Sequence, residues 1–586
     1  MLKIRARKKP IVKPHDGTKL SWSRKWSRLK ERLKDPEWLR YGKLLIAGKF
    51  LGLAALAAII LVASQIPDLL FGAPALAQTA AADPYAAIKP SEHINAINTG
   101  WVLLGAFLVF GMQAGFTMLE AGFCRSRETV NVLVECVFDT CVCGLLHWGW
   151  GFAFMFGAGN AFVGWHDPND ATKSFIFMKD VHVTTLYAST GVPVFAHYLF
   201  QFAFADCAST ICSGAMVGRT RFVGDVLYSI GVSGFIYPIF GHWCWGPDGF
   251  LATMGSPGHF LSGLGMNFHD FAGSTVVHSI GGWVAIAGAI VLGPRLGRKF
   301  KRDGGGPMLP HDLTIAVIGG LILWFGWYGF NPCSTLSIMD AGGVGRVAMN
   351  TTLAACTGGL AAEFVVFFMG GKWDVAAMIN GFLAGLVAIT CPCYWVSDVG
   401  SCILGAVAGV LVIGGMELLE HLRIDDPVGA WPVHGLCGIW GTLSLGLFAS
   451  GEYSAAGSSP YGVPSIVPKS ADALTGLFYG GGTKVLVAQG IGSLIVCSAT
   501  FATAMVMFVA LKAVRLLRVS KDGEQQGLDL DQHGISAYPE YVISALAAPH
   551  GMSPDTVGSG NLARAPESSA IRAGGFVGPP DLVGSK

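Results

Sequence analysis

Two histidines, His278 and His434, lie inside strongly apolar stretches of the chain. Each stands in the same short pattern, VHxxxG: Val277-His278-Ser-Ile-Gly-Gly282 and Val433-His434-Gly-Leu-Cys-Gly438. Aspartates precede them by eight or nine positions, Asp270 before the first and Asp425 and Asp426 before the second. An ionisable side chain within an apolar span is costly unless it faces a cavity or a partner. Two imidazoles facing each other can share a proton through one nitrogen each, leaving one donor and one acceptor for a passing solute. The chemistry this allows is proton relay and selection among protonatable solutes; the alternative is a pair of satisfied packing residues. The fourteen cysteines mostly lie in apolar runs, as in Cys141-Val-Cys143 and Cys391-Pro-Cys393, without the paired spacing of a zinc site. They read as small packing residues, as do His147 and the pair His242 and Cys244, and neither a metal nor another cofactor is expected.

The elements that hold these histidines are membrane helices. Of 586 residues, 52% are hydrophobic and only 13% charged, with 80 glycines that suit backbone-to-backbone helix packing. Eleven segments approach the ~20 residues that cross a bilayer: about 98 to 120, 131 to 157, 193 to 218, 223 to 247, 272 to 294, 312 to 331, 347 to 370, 376 to 394, 397 to 420, 432 to 449 and 487 to 512. The expected fold class is therefore an all-α polytopic membrane protein. The VHxxxG echo opens the fifth and the tenth segments, so the chain reads as two five-helix repeats of opposite sense plus a final helix, with a substrate path at their interface.

Basic residues follow the odd-numbered segments: Arg125 and Arg127, Arg219 and Arg221, the cluster Arg295 to Arg302, Lys372, Arg423, then Lys512, Arg515 and Arg518. By the positive-inside rule the first segment begins outside and the C-terminus is cytoplasmic. Residues 1–43 hold 15 Lys/Arg against 4 Asp/Glu, a basic amphipathic region beside a membrane rather than a nucleic-acid arm. Leu44 to Ala63 form an apolar run followed by small residues at Ala75 and Ala77, so that residues 44–77 read either as a cleaved signal peptide or as a retained anchor. A linker over 78–97, a membrane domain over 98–512, a polar tail over 513–550 and a disordered end over 551–586 complete the division.

Three stretches then carry a resemblance. Asp270-Phe-Ala-Gly-Ser-Thr-Val-Val-His278, Gly326-Trp-Tyr-Gly-Phe330-Asn-Pro-Cys-Ser334 and Asp425-Asp-Pro-Val-Gly-Ala-Trp-Pro-Val-His434-Gly resemble the signatures of the ammonium transporter family (Amt/MEP/Rh), of the Amt type. The likeness runs over roughly residues 98 to 540, with Met112-Gln-Ala-Gly-Phe-Thr-Met-Leu-Glu-Ala-Gly122 at its start and Gly527-Leu-Asp-Leu-Asp-Gln-His-Gly534 in the tail. It implies an outer recruitment site of Phe200, Trp245 and Ser334, supported by Asp270 and Gln201. It further implies a pore gate of Phe204 and Phe330, and His278 and His434 as the pore's histidine pair. Trp245 is equally placed for an aromatic-belt anchor, and Asp270 for a helix cap. The family also implies ammonium as substrate, a homotrimer in the bilayer, a PII-type signalling partner, an inner-membrane location and no enzymatic activity. Departures from its pattern are the long loops at about 158–192 and 248–270, Val428 and Gly429 after Asp425-Asp-Pro where a third acid is usual, and Pro332 and Cys333 before the serine.

The physics of such a path is a sequence of steps. Aromatic faces attract a cation by up to ~2 kcal/mol when it is desolvated, which favours ammonium without rejecting potassium. Carrying an ion to the bilayer centre costs at least about 2.5–3.5 kcal/mol, while neutral ammonia crosses freely, so deprotonation is the filter. Two other readings compete: a Rh-like channel for neutral gas, and an ammonium sensor that reports through a partner.

Overall fold

The computed structural model describes residues 90–187, 190–453 and 474–538. The expectations for residues 1–43, 44–77 and 551–586, and for most of the 78–97 linker, lie outside them. All described residues belong to one compact unit within Tyr85–Lys586.

That unit is built of helices: α1 (Pro90–Phe123), α2 (Thr129–Leu146), α3 (Val194–Gly214), α4 (Phe222–Gly231), α5 (Ile280–Leu292), α6 (Leu313–Phe330), α7 (Ala341–Gly370), α8 (Val375–Thr390), α9 (Asp398–Leu422), α10 (Cys437–Phe448) and α11 (Lys484–Ala513). A π turn carries α2 through His147–Gly151 into Phe152–Phe156, and another carries α4 through Val232–Ile236 into Tyr237–Trp245. Two more, Ser274–Ser279 and Trp431–Leu436, lead directly into α5 and α10. Among the described residues, eight helices are long and apolar enough to cross a membrane. α3, α8 and α10 fall outside that group. α8 is short, and α3 is diluted by His197, Gln201, Asp206, Ser209, Thr210 and Ser213, all buried against protein. α1 begins at Pro90, so the end of the expected linker is already helical.

Helix starts are marked by oxygen caps where backbone N–H groups lack partners. Asp312 accepts from Ile315 N at 3.0 Å, Asp340 from Gly343 N at 3.0 Å, Asp374 from Ala376 N at 2.8 Å and Ser397 from Gly400 N at 3.1 Å. The all-α expectation needs one amendment. The long loop after α2 folds into a small antiparallel sheet, β1 (Ala158–Gly159), β2 (Gly164–Asp167) and β3 (Asp170–Ser174). Asx turns make it possible: Asn160 Oδ1 accepts from Phe162 N and Val163 N, and Asp167 Oδ1 from Asn169 N.

At one end of the bundle the basic residues converge with the described part of the tail. The Arg295 guanidinium forks onto Asp425 with bonds of 2.8 and 2.9 Å, and Arg295 N adds a third at 2.9 Å. Arg219 donates to the Asp425 carbonyl at 2.6 Å. The tail helix α12 (Lys521–Gln526) brings Glu524 to Leu296 N at 2.6 Å and to Arg518 at 2.8 Å. Burial pushes the Asp425 carboxyl up, but the Arg295 hydrogen bonds and the Arg219 and Arg295 charges outweigh it and hold the group well below the usual carboxylate range. A depressed carboxylate stabilises the fold above its unfolded value, about 3.9, and loses that contribution as pH falls through its lower folded value. Asp425→Asn leaves Arg295 buried without its anion and is expected to cost about 3–5 kcal/mol near neutral pH, read as a fall in Tm of the detergent-solubilised protein. Unchanged Tm would show that the ion pair does not hold these loops.

Candidate functional site

The two histidines meet. His278 Nδ1 and His434 Nδ1 lie 3.2 Å apart, with ring centroids separated by 5.2 Å. Each sits in its π turn, where widened backbone turns commonly mark functional positions. The aspartate eight residues upstream caps each turn. Asp270 accepts from Gly273, Ser274, Thr275 and Val276 N at 2.8 to 3.0 Å, and Asp426 from Gly429, Ala430 and Trp431 N at 2.9 to 3.1 Å. The glycines that close the VHxxxG pattern explain the close approach. A Cβ on Gly282 would stand 2.2 Å from Gly435 N, and one on Gly438 would stand 2.4 Å from Ser274 O. Only hydrogen fits at either place, so the two helix starts cross backbone to backbone.

One shared proton between the Nδ1 atoms makes one ring the donor and the other the acceptor, and so gives the two Nε2 atoms opposite roles. His278 Nε2 is buried with no hydrogen-bond partner among the described residues. Trp327 and Phe330 stack on His278, with centroids at 5.1 and 5.4 Å. Phe330 stacks in turn on Phe204 at 4.0 Å and 24°. Phe204 touches Phe200 at 4.7 Å and the edge of Trp245 at 6.4 Å. α3 presents Phe200 and Phe204 one turn apart, and α6 presents Trp327 and Phe330 three residues apart, so each pair shares a helix face.

Trp245 Nε1 donates to the Asp270 carbonyl at 2.7 Å, which ties the indole to the same loop that caps the first histidine turn. Ser334 Oγ donates to Phe330 O at 2.6 Å, so its hydroxyl proton is used and its lone pairs are left to accept. Phe200, Trp245, Phe204, Phe330, His278 and His434 thus form one chain of ring contacts, with Asp270 beneath Trp245. Gln201 does not join it by a hydrogen bond; both polar atoms of its buried amide have no partner among the described residues. On the other side of the pair, a narrow cavity of ≈ 20 Å³, enough for about one water, reaches His434 between Phe116, Ile211, Leu383 and Val433, with Glu120 and Asn380 at its wall. Phe116 stands 6.5 Å from the His434 ring. Sequence reasoning missed Trp327, Glu120 and Asn380. Trp327 and Glu120 lie within stretches already singled out, Trp327 three residues before Phe330 and Glu120 near the end of Met112 to Gly122, whereas Asn380 carries no signal short of the helix packing that gathers these residues.

A buried aromatic file ending on paired imidazoles, inside a bundle of apolar helices, defines a membrane protein with a candidate solute path at its centre. The model of the Ammonium Transporter Family matches residues 100–538. The chain is 40% identical over 481 residues to the ammonium transporter Amt2 of Archaeoglobus fulgidus, covering 81% of this chain and 96% of that one. It is 38% identical over 435 residues to ammonium transporter 1 member 1 of Arabidopsis thaliana, covering 72% and 81%. Among solved structures it resembles a sensor Amt protein with a TM-score of 0.63 at 33% identity, covering 75% of this chain and 99% of that one. It also resembles Candida albicans Mep2 with a TM-score of 0.64 at 28% identity, covering 77% and 92%. The chain belongs to the ammonium transporter family.

The Gly282 contact is testable. Gly282→Ala forces a methyl against the Gly435 backbone and should cost about 1–3 kcal/mol through overpacking, lowering Tm in detergent. Gly342→Ala serves as a control, because nothing lies within 4 Å of its Cβ position. Equal effects of the two substitutions would remove the close crossing as the cause.

Proposed function

We propose that the protein conducts ammonium across the inner membrane. Ammonium is recruited at Phe200, Trp245 and Ser334, gives up its proton, and passes as ammonia between Phe204 and Phe330 and along His278 and His434. The observation that carries this reading is the stacked Phe204 and Phe330 rings with the joined imidazoles directly behind them. That file is wide enough only when the rings part and offers a stripped cation no oxygen ligands, so potassium, which cannot shed a proton, is refused there. Asp270 holds Trp245 and the first histidine turn; Gln201 supports the outer site. The resemblance also motivates eleven spans over 98–512 as two inverted five-helix repeats plus a last helix, with the equivalent capping aspartates and π turns as support. In this reading the protein is a homotrimer that performs no catalysis, its transport domain starts outside, and its cytoplasmic tail, 513–550, takes a PII-type partner near Gly527 to Gly534.

The likeness to a sensor Amt protein favours one second reading, a receptor whose output passes through a partner. Current and internal pH are recorded on liposomes carrying the protein and given ammonium, methylammonium or potassium pulses. Ammonium-dependent signals without potassium signals are expected; no ammonium response at all sinks transport and favours the sensor. Replacing His278 and His434 by Glu should admit potassium, and continued refusal would show that the histidines are not the filter. Trp245→Leu should raise the half-saturating ammonium concentration by up to roughly thirtyfold, the loss of one cation–π contact of ~2 kcal/mol, with flux retained at high concentration.

A further inference from the structure

Behind α3, away from the histidine pair, α2 and α4 carry a second polar line. On α2 and its π turn, Asn131, Glu135, Asp139, Cys143 and His147 recur at every fourth position. On α4 and its continuation, Asp225, Ser229, Ser233 and Tyr237 do the same. Both stripes are buried to within 2% of full, and α2 packs against both α3 and α4. From α3, His197 and Asp206 face the same seam, each fully buried.

The groups along this seam lack partners in an orderly way. Both ring nitrogens of His147 and of His197 have no hydrogen-bond partner among the described residues, nor do both carboxylate oxygens of Asp139 and of Asp206. Asp225 Oδ2, Ser233 Oγ and Tyr237 Oη are left likewise. The Thr140 and Ser229 hydroxyls lie beside Asp206 and Asp139 without hydrogen-bond geometry. Other titratable groups flank the line: Glu120 on α1, bonded by Ser213, Cys207 on α3, and Tyr228 on α4, bonded to Asp225. No lysine or arginine donates to Glu135, Asp139, Asp206 or Asp225 among the bonds and ion pairs described, so four ionised carboxylates here would be prohibitively costly. Protons must neutralise them, and buried polar atoms in such numbers call for bridging water. A metal ion is not the better answer, because no group of three acidic, histidine or cysteine side chains among the described residues is arranged to hold one.

The line also has two ends. His197 stacks at 4.3 Å on the half-buried Tyr187, and His147 is its electrostatic neighbour. At the tail end, Asn131 Nδ2 donates to Glu135 Oε1 at 2.8 Å, its backbone N donates to Asp529 Oδ1 at 3.0 Å, and its Oδ1 lies 3.0 Å from His533 Nε2. Sixteen residues separate Asn131 from His147, about 24 Å of helix at ~1.5 Å per residue, against a hydrocarbon core of ~30 Å. His147, which the sequence presents as a packing residue, therefore stands in a polar file that runs most of a bilayer's depth.

We propose that this seam is a proton-conducting column, threaded by water and separate from the histidine-paired path, with the tail turn Asp529–His533 as its cap. A proton taken up at the His197 end displaces one at the Glu135 and Asn131 end through the file of waters, carboxyls and imidazoles. Each group returns to its starting state, and no bond other than O–H and N–H is made or broken. Burial pushes the cap's Asp529 carboxyl up and the His533 imidazole down, so both tend to the neutral form where they meet Asn131.

The full chain is tested in vesicles holding a pH-sensitive dye, under a potassium diffusion potential set with valinomycin and with no ammonium present. Proton entry should exceed that of protein-free vesicles and rise several-fold when the cap is weakened by Asp529→Asn with His533→Ala. Asp139→Asn with Asp206→Asn, isosteric and unable to exchange protons, should cut entry by about tenfold or more while methylammonium uptake stays within about twofold. His147→Gln with His197→Gln should repeat that result, which guards against one variant that fails to fold. Proton entry at the protein-free rate in both the native and cap-weakened chains overturns the proposal, as does entry that neither double substitution changes. Loss of methylammonium uptake together with proton entry, in protein that elutes as the native oligomer, refutes the separation of the two paths; loss of methylammonium uptake in the native chain bears on the transport reading alone.

Discussion

Two helix starts crossing at hydrogen-atom contact are what the centre of this protein depends on. Gly282 rests on the Gly435 backbone and Gly438 on the Ser274 carbonyl, so no side chain separates the turns that carry His278 and His434. Within a bilayer there is no hydrophobic gain in bringing apolar helices together, and close packing of small residues takes its place. The crossing fixes the imidazoles at 3.2 Å. From that pair the rings of Phe330, Phe204 and Phe200 follow in order, because α3 and α6 pack against the same crossing.

The price of irregular backbone at that depth is met locally. Each π turn exposes N–H groups that an ordinary helix start would also leave free, and Asp270 and Asp426 each accept three or four of them. A carboxylate at a helix N-terminus is favoured by the aligned peptide dipoles as well as by its hydrogen bonds. Asp270 thereby links the first histidine turn to Trp245 through its own carbonyl, so the indole and the imidazole are held by one loop. Asp425, one residue before the second cap, turns instead to Arg295 and ties the tail end of the bundle to the same element. Neighbouring aspartates thus serve opposite masters: one the buried backbone, the other a guanidinium.

Several features were readable in the chain before any coordinates. Apolar segment lengths located most of the helices to within a few residues, because hydrocarbon thickness dictates length whatever the tertiary packing, although α1 starts eight residues and α7 six residues ahead of their apolar segments. The VHxxxG echo with its upstream aspartates marked the crossing, since a glycine four residues beyond each histidine falls on the same helix face. The resemblance in three stretches pointed to the aromatic residues that the fold then set in one file. The loop after α2 was legible only as long, although its Asn160 and Asp167 turns drive a small sheet.

Sequence by itself determined which residues could not face lipid and which spacing would put them on one side of a helix. It could not decide which helices adjoin, and burial of polar groups is a property of adjacency. Asp206 and His197 on α3 read as dilution of an apolar segment until α2 and α4 supply the walls around them. Glu120 and Asn380 reach the His434 cavity only because α1 and α8 close on the second histidine turn. His278 and His434 are 156 residues apart in the chain, and the pattern around them says that each is placed alike. That their Nδ1 atoms meet at hydrogen-bond distance was decided by the tertiary crossing, because a 3.2 Å contact depends on the missing methyl groups of two glycines in different helices.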